Sequence, residues 1–173
     1  MEVVLELLKY ILPAGIVFIT AWLLLKAFLE NENKRRLLEM KMERQAMISP
    51  VRLQAYERIV LLLERISPGS ILMRVASPGM SAFLLQTSLI QTIREEFEHN
   101  LSQQIYISST AWELTRNAKE ESIKLVNLAA SRLNDGAGAT ELSTLILEMS
   151  MNLEKSANAT AIEYIKNEVR QNF

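Results

Sequence analysis

The N-terminal thirty residues, MEVVLELLKYILPAGIVFITAWLLLKAFLE, constrain the fold of this chain more than any other stretch. Sixteen uncharged residues, 10–25, separate Lys9 from Lys26, and the apolar sequence continues past both lysines. Lysine side chains can lie along a helix and place their ammonium groups at the membrane surface. The apolar length is then about 20–25 residues, enough to cross a hydrocarbon core of about 30 Å. The sequence predicts a transmembrane anchor helix over residues 1–30.

Four side chains are the expected anchor residues of this helix. Tyr10 and Trp22 lie near its two ends, where amphipathic rings are favoured at the membrane surface. Pro13 falls early in the helix, where the loss of one N–H costs less than it does at the centre. Lys26 ends the uncharged run.

Two other interpretations of the segment fit less well. A cleaved signal peptide begins with basic residues and ends in small ones, whereas this segment begins with Glu2 and Glu6 and its apolar run ends in Trp22 and three leucines. A buried core helix normally has one polar face, and this segment is apolar on all sides. The transmembrane helix therefore remains the preferred interpretation.

The flanking charges predict the orientation of the anchor. The basic residues expected at the lipid headgroups all follow the apolar run: Lys34, Arg35, Arg36, Lys41 and Arg44. The tail before the run has one basic residue, Lys9. Positive charge stays on the cytoplasmic side of a membrane. We expect a plasma (inner) membrane protein with a short N-terminus outside and its C-terminal domain in the cytoplasm.

The rest of the chain is expected to be helical throughout. Residues 31–48 contain no Gly or Pro and predict a charged juxtamembrane helical stalk. Ser-Pro pairs at 49–50, 67–68 and 77–78 each predict a helix start, because serine caps helices well and proline suits the first helical position. The fold class is therefore all-α, with residues 49–173 forming a cytoplasmic bundle of about four to five helices.

Apolar spacing indicates where those helices lie. A long helix after Pro78 has a buried stripe that extends as far as Leu101 and Ile105. Ser108, Ser109 and Thr110 offer the next N-cap, and the helix they begin runs to about Leu133, before the break at 134–138. Residues 142–153 and 161–169 predict one further continuous helix or two separate ones.

The only histidine in the chain lies in an acidic stretch, EEFEH, residues 95–99. Glu96 and His99 match the Glu-x-x-His half-motif of di-iron helical bundles, and Glu95 lies one turn from His99. Such a site needs a second histidine, which one protomer does not have. The alternative is a hydrogen-bonded polar seam between two helices, in which Asn100, Gln103 and Gln104 satisfy one another or the adjoining loop.

Composition and motifs argue against catalysis and nucleic-acid binding. The chain has no cysteine, which excludes disulfides, thiolate metal sites and cysteine nucleophiles. It has no Gly-rich phosphate loop and no Gly-x-Ser-x-Gly motif. The formal net charge of -1 is distributed unevenly: residues 49–94 are basic, and residues 95–173 are acidic. A nucleic-acid binder would show a concentrated basic face. We expect a non-enzyme without cofactors and without an evident small-molecule substrate.

The stretches YERIVLLLERISP (56–68) and IQTIREEFEHNLSQQIYISSTAWE (90–113), following the apolar N-terminus, carry a family resemblance. The chain resembles an uncharacterised family of small single-pass membrane proteins of Bacteroidota-type bacteria. The resemblance covers most of the chain and implies an N-terminal membrane helix, a helical cytoplasmic region and no assigned activity. It implies no catalytic or binding residues.

Three functional hypotheses follow. The first is a membrane-anchored interaction or scaffold module that binds the lipid bilayer and either another protein or itself. The second is a structural, stalk-like subunit of a larger membrane complex, which a long unbroken helix would favour. The third is a metal-binding helical protein that uses His99 with Glu95 and Glu96.

Overall fold

The computed structural model describes the backbone of residues 2–134, 136–152 and 155–172, and the side chains of 18–36, 38–40, 49–134, 136–152 and 155–171. Over that part of the chain the regular elements are helices, apart from one isolated antiparallel bridge. The prediction of an all-α fold is confirmed. The chain divides into two compact units, Met1–Ile48 and Ser49–Phe173.

Six α-helices and one 3₁₀ helix follow one another along the described residues. Their bounds are α1 Glu2–Arg65, α2 Pro68–Val75, α3 Ala82–His99, the 3₁₀ helix Leu101–Ile105, α4 Ser109–Ala130, α5 Ala139–Met151 and α6 Ala157–Asn172.

In the first unit, the described side chains of α1 from Phe18 to Leu29 are all exposed. They include eight large apolar side chains: Phe18, Ile19, Trp22, Leu23, Leu24, Leu25, Phe28 and Leu29. No helix has, within its described residues, a stretch long and apolar enough to cross a membrane. The side chains of residues 2–17, the first half of the predicted anchor, lie outside the described part.

In the second unit, the core forms around the last three turns of α1. Tyr56, Ile59, Leu63 and Ile66 recur at helical spacing and are at most 1% exposed. They pack with buried residues from each later α-helix, among them Ile71, Leu85, Leu89, Ile93, Ala118, Val126, Leu142, Ile146, Ala161 and Ile165. Ile66 lies at the centre, because it lines a cavity of about 10 Å³ together with residues of α2, α3, α4 and α5.

The three Ser-Pro pairs lie in three different structural positions, and only one of them begins a helix. At 67–68 the prediction is confirmed, since Ser67 precedes α2 and Pro68 is its first residue. At 49–50 it is wrong: Pro50 lies inside α1, where its missing N–H removes one helical hydrogen bond without ending the helix. At 77–78 it is also wrong, because Pro78 lies in a turn and α3 begins at Ala82.

Ser81, and not Ser77, caps α3. Its hydroxyl accepts a hydrogen bond from the Leu84 N–H at 3.2 Å. Between Pro78 and this cap lies Gly79, whose φ of 78° is one that side chains with a Cβ rarely adopt.

Helix α3 ends earlier than its apolar stripe predicts. Asn100 is its C-cap, and a 3₁₀ helix follows. As a result Leu101 and Ile105, expected in the core, are 41% and 74% exposed. The tighter 3₁₀ turn rotates successive side chains by a different angle, which takes these two positions off the stripe.

The later helix boundaries follow the sequence more closely. Ser108 caps α4, its hydroxyl accepting from the Ala111 N–H at 3.1 Å. Helix α4 ends at Ala130, short of the predicted Leu133. Helices α5 and α6 are separate: Asn152 is the C-cap of α5, and α6 begins at Ala157.

Candidate functional site

The predicted anchor residues fall partly within the described side chains. The Lys26 ammonium lies 5.5 Å from the centre of the Trp22 ring. The two residues are one helical turn apart, and the contact is a cation–π interaction. Tyr10 and Pro13 lie outside the described side chains.

The basic residues that follow the apolar segment alternate with acidic ones along the same helix. Arg35 Nε lies 2.9 Å from Glu39 Oε1, and Arg36 Nε lies 3.2 Å from Glu32 Oε1. Both arginines remain at least 70% exposed, as side chains in i,i+4 surface pairs usually do. Lys34 is also exposed. The predicted headgroup residues Lys41 and Arg44 lie outside the described side chains.

The three metal candidates, Glu95, Glu96 and His99, line one cleft, but their side chains take different partners. His99 Nδ1 faces the backbone oxygen of Glu95 at 3.1 Å, and the Glu95 carboxylate accepts from Gln91 at 2.8 Å. Glu96 points instead to two arginines. In the described part of the chain no group of three or more His, Asp or Glu side chains is placed to hold a metal ion.

Glu96 joins three helices through one carboxylate oxygen. Its Oε1 lies 2.8 Å from an Arg65 nitrogen near the end of α1, and 2.9 Å from an Arg74 nitrogen at the end of α2. The Glu96 side chain is only 16% exposed, whereas Arg65 is 47% exposed. Reduced solvation strengthens this pairing compared with the surface pairs of the stalk. We call these three residues the arginine–glutamate triad.

A shallow cleft of about 460 Å³ opens beside the triad. Arg58, Leu61 and Arg65 of α1 lie on one side, and Thr92, Glu95 and His99 of α3 lie on the other. Its positive and negative side chains are mixed, so it presents no single-sign surface to an ion. The polar contact between helices at this cleft is made by Glu96 with the two arginines, and not by the residues from which a polar seam was expected. Asn100 is not part of it, because its side-chain amide donates to its own helix, at the Glu96 backbone oxygen 2.8 Å away.

A second polar cluster ties α1, α4 and α6 together. Glu168 of α6 accepts from the Tyr56 hydroxyl on Oε1 and from the Ser108 hydroxyl on Oε2, each at 2.7 Å. Tyr56 is 1% exposed. Burial raises the pKa of the Tyr56 phenol, and the hydrogen bond to Glu168 adds to the rise. Arg52, which donates to the Tyr106 backbone oxygen at 3.1 Å, acts on this pKa in the opposite direction.

A third polar cluster is built around a buried side-chain amide. Asn158 of α6 donates from Nδ2 to the Leu63 backbone oxygen at 2.8 Å, and its Oδ1 lies 3.2 Å from the Ser122 hydroxyl. Leu63 is in the last turn of α1, where carbonyl groups have no partner within the helix. Asn158 therefore caps the end of α1 from a helix 95 residues further along the chain.

These three clusters have structural roles as they stand. Among the described residues, every buried side-chain nitrogen and oxygen has a hydrogen-bond partner. A general acid or base needs a proton acceptor or donor that is open to a substrate, and Glu96 and Glu168 are each held by two protein donors. Their arrangement fixes where helices meet.

The residues that complete these clusters were not predicted from the sequence. Arg65, Arg74, Tyr56, Glu168 and Asn158 are single polar positions on helices, and their partners are 22 to 112 residues away. One signal was available for Asn158, since it interrupts an otherwise apolar face formed with Ala161, Ile162 and Ile165. For the arginines, helical spacing alone gives no signal.

Comparisons with known proteins add the family but no activity. No curated protein matches the chain. No solved structure matches it either. A family described as a family of unknown function, DUF7935, matches residues 2–172. Because that match covers nearly the whole chain, the protein belongs to the DUF7935 family of unknown function.

Proposed function

We propose that this protein is a membrane-anchored helical protein whose C-terminal domain is a non-catalytic interaction module. The observation that carries the proposal is the exposed apolar surface of α1 between Phe18 and Leu29. Eight large apolar side chains on consecutive turns of one helix need an apolar environment. A lipid bilayer supplies it around the whole helix circumference.

The sequence of residues 5–17 supports the same anchor. It continues the apolar run in the N-terminal direction, with Lys9 as its only charged residue besides Glu6. Together with the exposed segment this gives about 25 residues, the length that a transmembrane helix needs. The exposed cations Lys34, Arg35 and Arg36 lie after the run, which favours a cytoplasmic domain by the positive-inside rule.

An interaction role for the second unit is supported by its surface charge. Exposed carboxylates are spread over α3, α4 and α5, at Glu95, Glu98, Glu113, Glu120, Glu121, Glu141 and Glu148. Residues 95–173 are acidic overall, so a partner with a basic surface would be attracted and oriented. Among the described residues, the buried side-chain polar atoms are already satisfied within the fold, so the outer face remains for a partner.

The anchor is tested by membrane extraction. Wild-type protein in native cells should stay in the membrane fraction through high-salt and alkaline carbonate washes and leave it only with detergent. The variant Ile19→Asp/Leu23→Asp should lose membrane retention, because each central charge costs about 2.5–3.5 kcal/mol of insertion free energy. Leu38→Asp/Met40→Asp is the matched control, since these side chains are 60% and 53% exposed on the same helix and lie beyond the anchor.

Release of the wild type by carbonate would reject the anchor. Retention of the Ile19→Asp/Leu23→Asp variant to the same extent as its control would reject the proposed position of the span.

The interaction role is tested by mild cross-linking in native cells, detergent purification and mass spectrometry. A stoichiometric partner whose recovery falls when Glu113, Glu120 and Glu121 are changed to glutamine supports the proposal, because these exposed side chains lie outside the three internal clusters. If only the protein itself is recovered, from wild type and variant alike, the result argues against a separate partner. Self-association is then the interaction to measure.

A structural, stalk-like subunit of a larger membrane complex is the second candidate. Helix α1 favours it, since α1 continues over 64 residues and through the Ser49-Pro50 pair. Such a subunit would co-purify with several other membrane subunits in fixed ratio, whereas an interaction module would recover one partner or its own copies.

A further inference from the structure

Two loops of the second unit are equivalent to each other. The first connects α2 to α3 and the second connects α4 to α5. Corresponding features recur at a constant spacing of 57 positions: the glycines with positive φ at 79 and 136, the helix N-caps at 81 and 138, and the buried leucines at 85 and 142. Residues 68–151 therefore consist of two helix–loop–helix units in tandem.

The two loops pair with each other through their equivalent residues. Ser81 and Gly138 form the isolated antiparallel bridge. The Ala82 N–H donates to the Ala137 oxygen at 3.0 Å, and the Ala139 N–H donates to the Met80 oxygen at 2.9 Å. Each hydrogen bond maps onto the other under the same shift of 57 positions. The pairing is thus symmetrical, and it joins the N-terminal ends of α3 and α5.

This arrangement has the plan of a paired calcium-binding helix–loop–helix. In the twelve-residue calcium loop, a glycine at position 6 makes the sharp turn, side-chain oxygens at positions 1, 3 and 5 bind the ion, and a glutamate at position 12 binds it with both oxygens. Counting from Arg74 puts Gly79 at position 6 and Leu85 at position 12. Counting from Ser131 puts Gly136 at position 6 and Leu142 at position 12.

Both loops share the backbone features of that plan and lack its glutamate at position 12, and the first loop lacks the other side-chain ligands as well. Gly79 and Gly136 have φ of 78° and 90°. In the first loop, positions 1, 3, 5 and 12 are Arg74, Ala76, Pro78 and Leu85, none of which offers a side-chain oxygen. Leu85 and Leu142 are fully buried, so core packing occupies both positions where the metal-binding glutamates would stand. The Met80 and Ala137 backbone oxygens, at position 7, accept the bridge hydrogen bonds instead of facing an ion.

We propose that residues 68–151 are a calcium-independent pair of EF-hand-type units, and that the chain's own residues 55–66, the end of α1 and the residue after it, fill the helix-binding groove of this pair. Paired units of this type hold amphipathic helices by an apolar groove between their four helices. Ile66 lines one small cavity together with a residue from each of the four helices: Ile71, Leu89, Val126 and Ile146. The arginine–glutamate triad fastens the same stretch of α1 to α2 and α3.

This proposal goes beyond the interaction role above, because it states what the groove already holds. A foreign amphipathic helix would have to displace residues 55–66, whose apolar side chains Ile59, Leu62, Leu63 and Ile66 are at most 1% exposed. A separate partner is therefore expected at the outer, acidic surface.

The test restores the missing ligands in the full-length chain. The variant Arg74→Asp/Ala76→Asp/Pro78→Asp/Leu85→Glu has a complete ligand set in the first loop, and its control carries the same three aspartates with Leu85→Gln. Both are purified after chelation and titrated with Ca²⁺, with binding measured by calorimetry and by the shift in Tm. We expect Ca²⁺ binding in the variant with a Kd of roughly 10⁻⁴–10⁻³ M, the range of weak modules. The control should bind at least ten-fold more weakly, and the wild type should show no shift.

Two results would overturn the proposal that residues 68–151 are a calcium-independent pair of EF-hand-type units. One is a variant that keeps its helical circular dichroism but shows no Ca²⁺ response beyond the control. The other is Ca²⁺ binding by the wild type. If the first-loop variant does not fold, the equivalent change in the second loop, Ser131→Asp/Leu133→Asp/Leu142→Glu, is judged by the same criteria, since its fifth position is already Asp135.

Native-state hydrogen exchange tests the pairing of the two loops, and the position of residues 55–66 in the groove, without introducing calcium ligands. The Ala82 and Ala139 amides should share one protection factor, because one symmetrical bridge holds both. Ile66→Asp should reduce that protection for both amides by at least ten-fold, whereas Leu61→Asp, at a position 55% exposed on the same helix, should leave it unchanged. Unequal protection of the two amides in the wild type, or an equal response to both substitutions, would contradict the proposal.

Discussion

Arg65 and Arg74 bind the same oxygen atom, Oε1 of Glu96, at 2.8 and 2.9 Å. The two arginines lie near the ends of α1 and α2, and Glu96 lies in the last turn of α3. A single carboxylate thus fixes three helix ends against one another. Two positive groups share one negative one, so the loss of that charge affects both arginines at once.

Glu96→Gln is therefore expected to destabilise the second unit by about 1–2 kcal/mol, because two partly desolvated guanidinium groups lose their charged acceptor. The midpoint of urea unfolding of the full-length chain, followed by circular dichroism, measures the effect. Glu98→Gln is the control: this side chain is exposed two residues along the same helix, and we expect a change of no more than about 0.5 kcal/mol. Equal effects of the two substitutions would show that the triad contributes nothing specific.

Asn158→Ala should cost about 2–3 kcal/mol of unfolding free energy. The substitution leaves the Leu63 carbonyl without its partner in a buried position, whereas the Ser122 hydroxyl keeps its hydrogen bond to the Ala118 backbone oxygen. Asn167→Ala changes the same residue type at an exposed position of the same helix and should be close to neutral. A loss below about 0.5 kcal/mol for Asn158→Ala would mean that the end of α1 does not depend on this cap.

The raised pKa of Tyr56 predicts a loss of stability at alkaline pH. An unfolded chain releases the phenol proton near pH 10, whereas the folded chain still holds it. The stabilisation from the Tyr56–Glu168 hydrogen bond is therefore complete below about pH 10 and is lost as the pH rises through the higher folded pKa. The Tm difference between wild type and Tyr56→Phe should shrink from pH 9 to pH 11. A difference that stays constant over this range would contradict the assignment.

Gly79→Ala and Gly69→Ala should act in opposite directions. Gly79 has a φ of 78°, so an alanine there is strained and should cost about 1 kcal/mol, although no atom lies within 4 Å of the added Cβ. Gly69 lies inside α2 and also has open space around it. Alanine at this position should stabilise the chain by roughly 0.5–1 kcal/mol through helix propensity. The comparison of their unfolding midpoints separates backbone strain from crowding.

The absence of cysteine makes the membrane topology directly measurable. Thr144→Cys introduces one thiol at an exposed position of α5. If the second unit is cytoplasmic, a membrane-impermeant maleimide should label this thiol in lysed cells and not in intact ones. Labelling of intact cells would reverse the proposed orientation. A cysteine inserted after Met1 is the control, because an external thiol should be labelled in intact cells as well as in lysed ones.

Helix content was predictable because it depends on local pattern. The apolar spacing from Tyr56 to Ile66 and the serine caps at Ser67 and Ser108 indicated helices that the structure contains. The errors at Pro50 and Pro78 have a common physical cause. Proline is compatible with a helix start, with a turn and, at some cost, with a helix interior, and the surrounding packing decides among these.

The site could be predicted only in part. Glu95, Glu98 and His99 lie off the apolar stripe of α3, so helical spacing is enough to account for their exposure. The pairing of Glu96 with Arg65 and Arg74 did not follow, since it depends on how α1, α2 and α3 meet, and the sequence suggested His99 as the nearer partner. The equivalence of the two loops was also hidden, because their sequences share little beyond the glycine and the leucine.

The link between Leu63 and Asn158 also determines when the domain can finish folding. The end of α1 is made early in synthesis, and the side chain that caps it is made 95 residues later. The hydrogen-bond partner of Tyr56, Glu168, is made later still, because it is 112 residues away in sequence. Contacts this distant in sequence form slowly, and until they form the apolar face of α1 is open to other chains. A chain that stops short of α6 would thus be a target for quality control, even though the sequence of five of its α-helices had already been made.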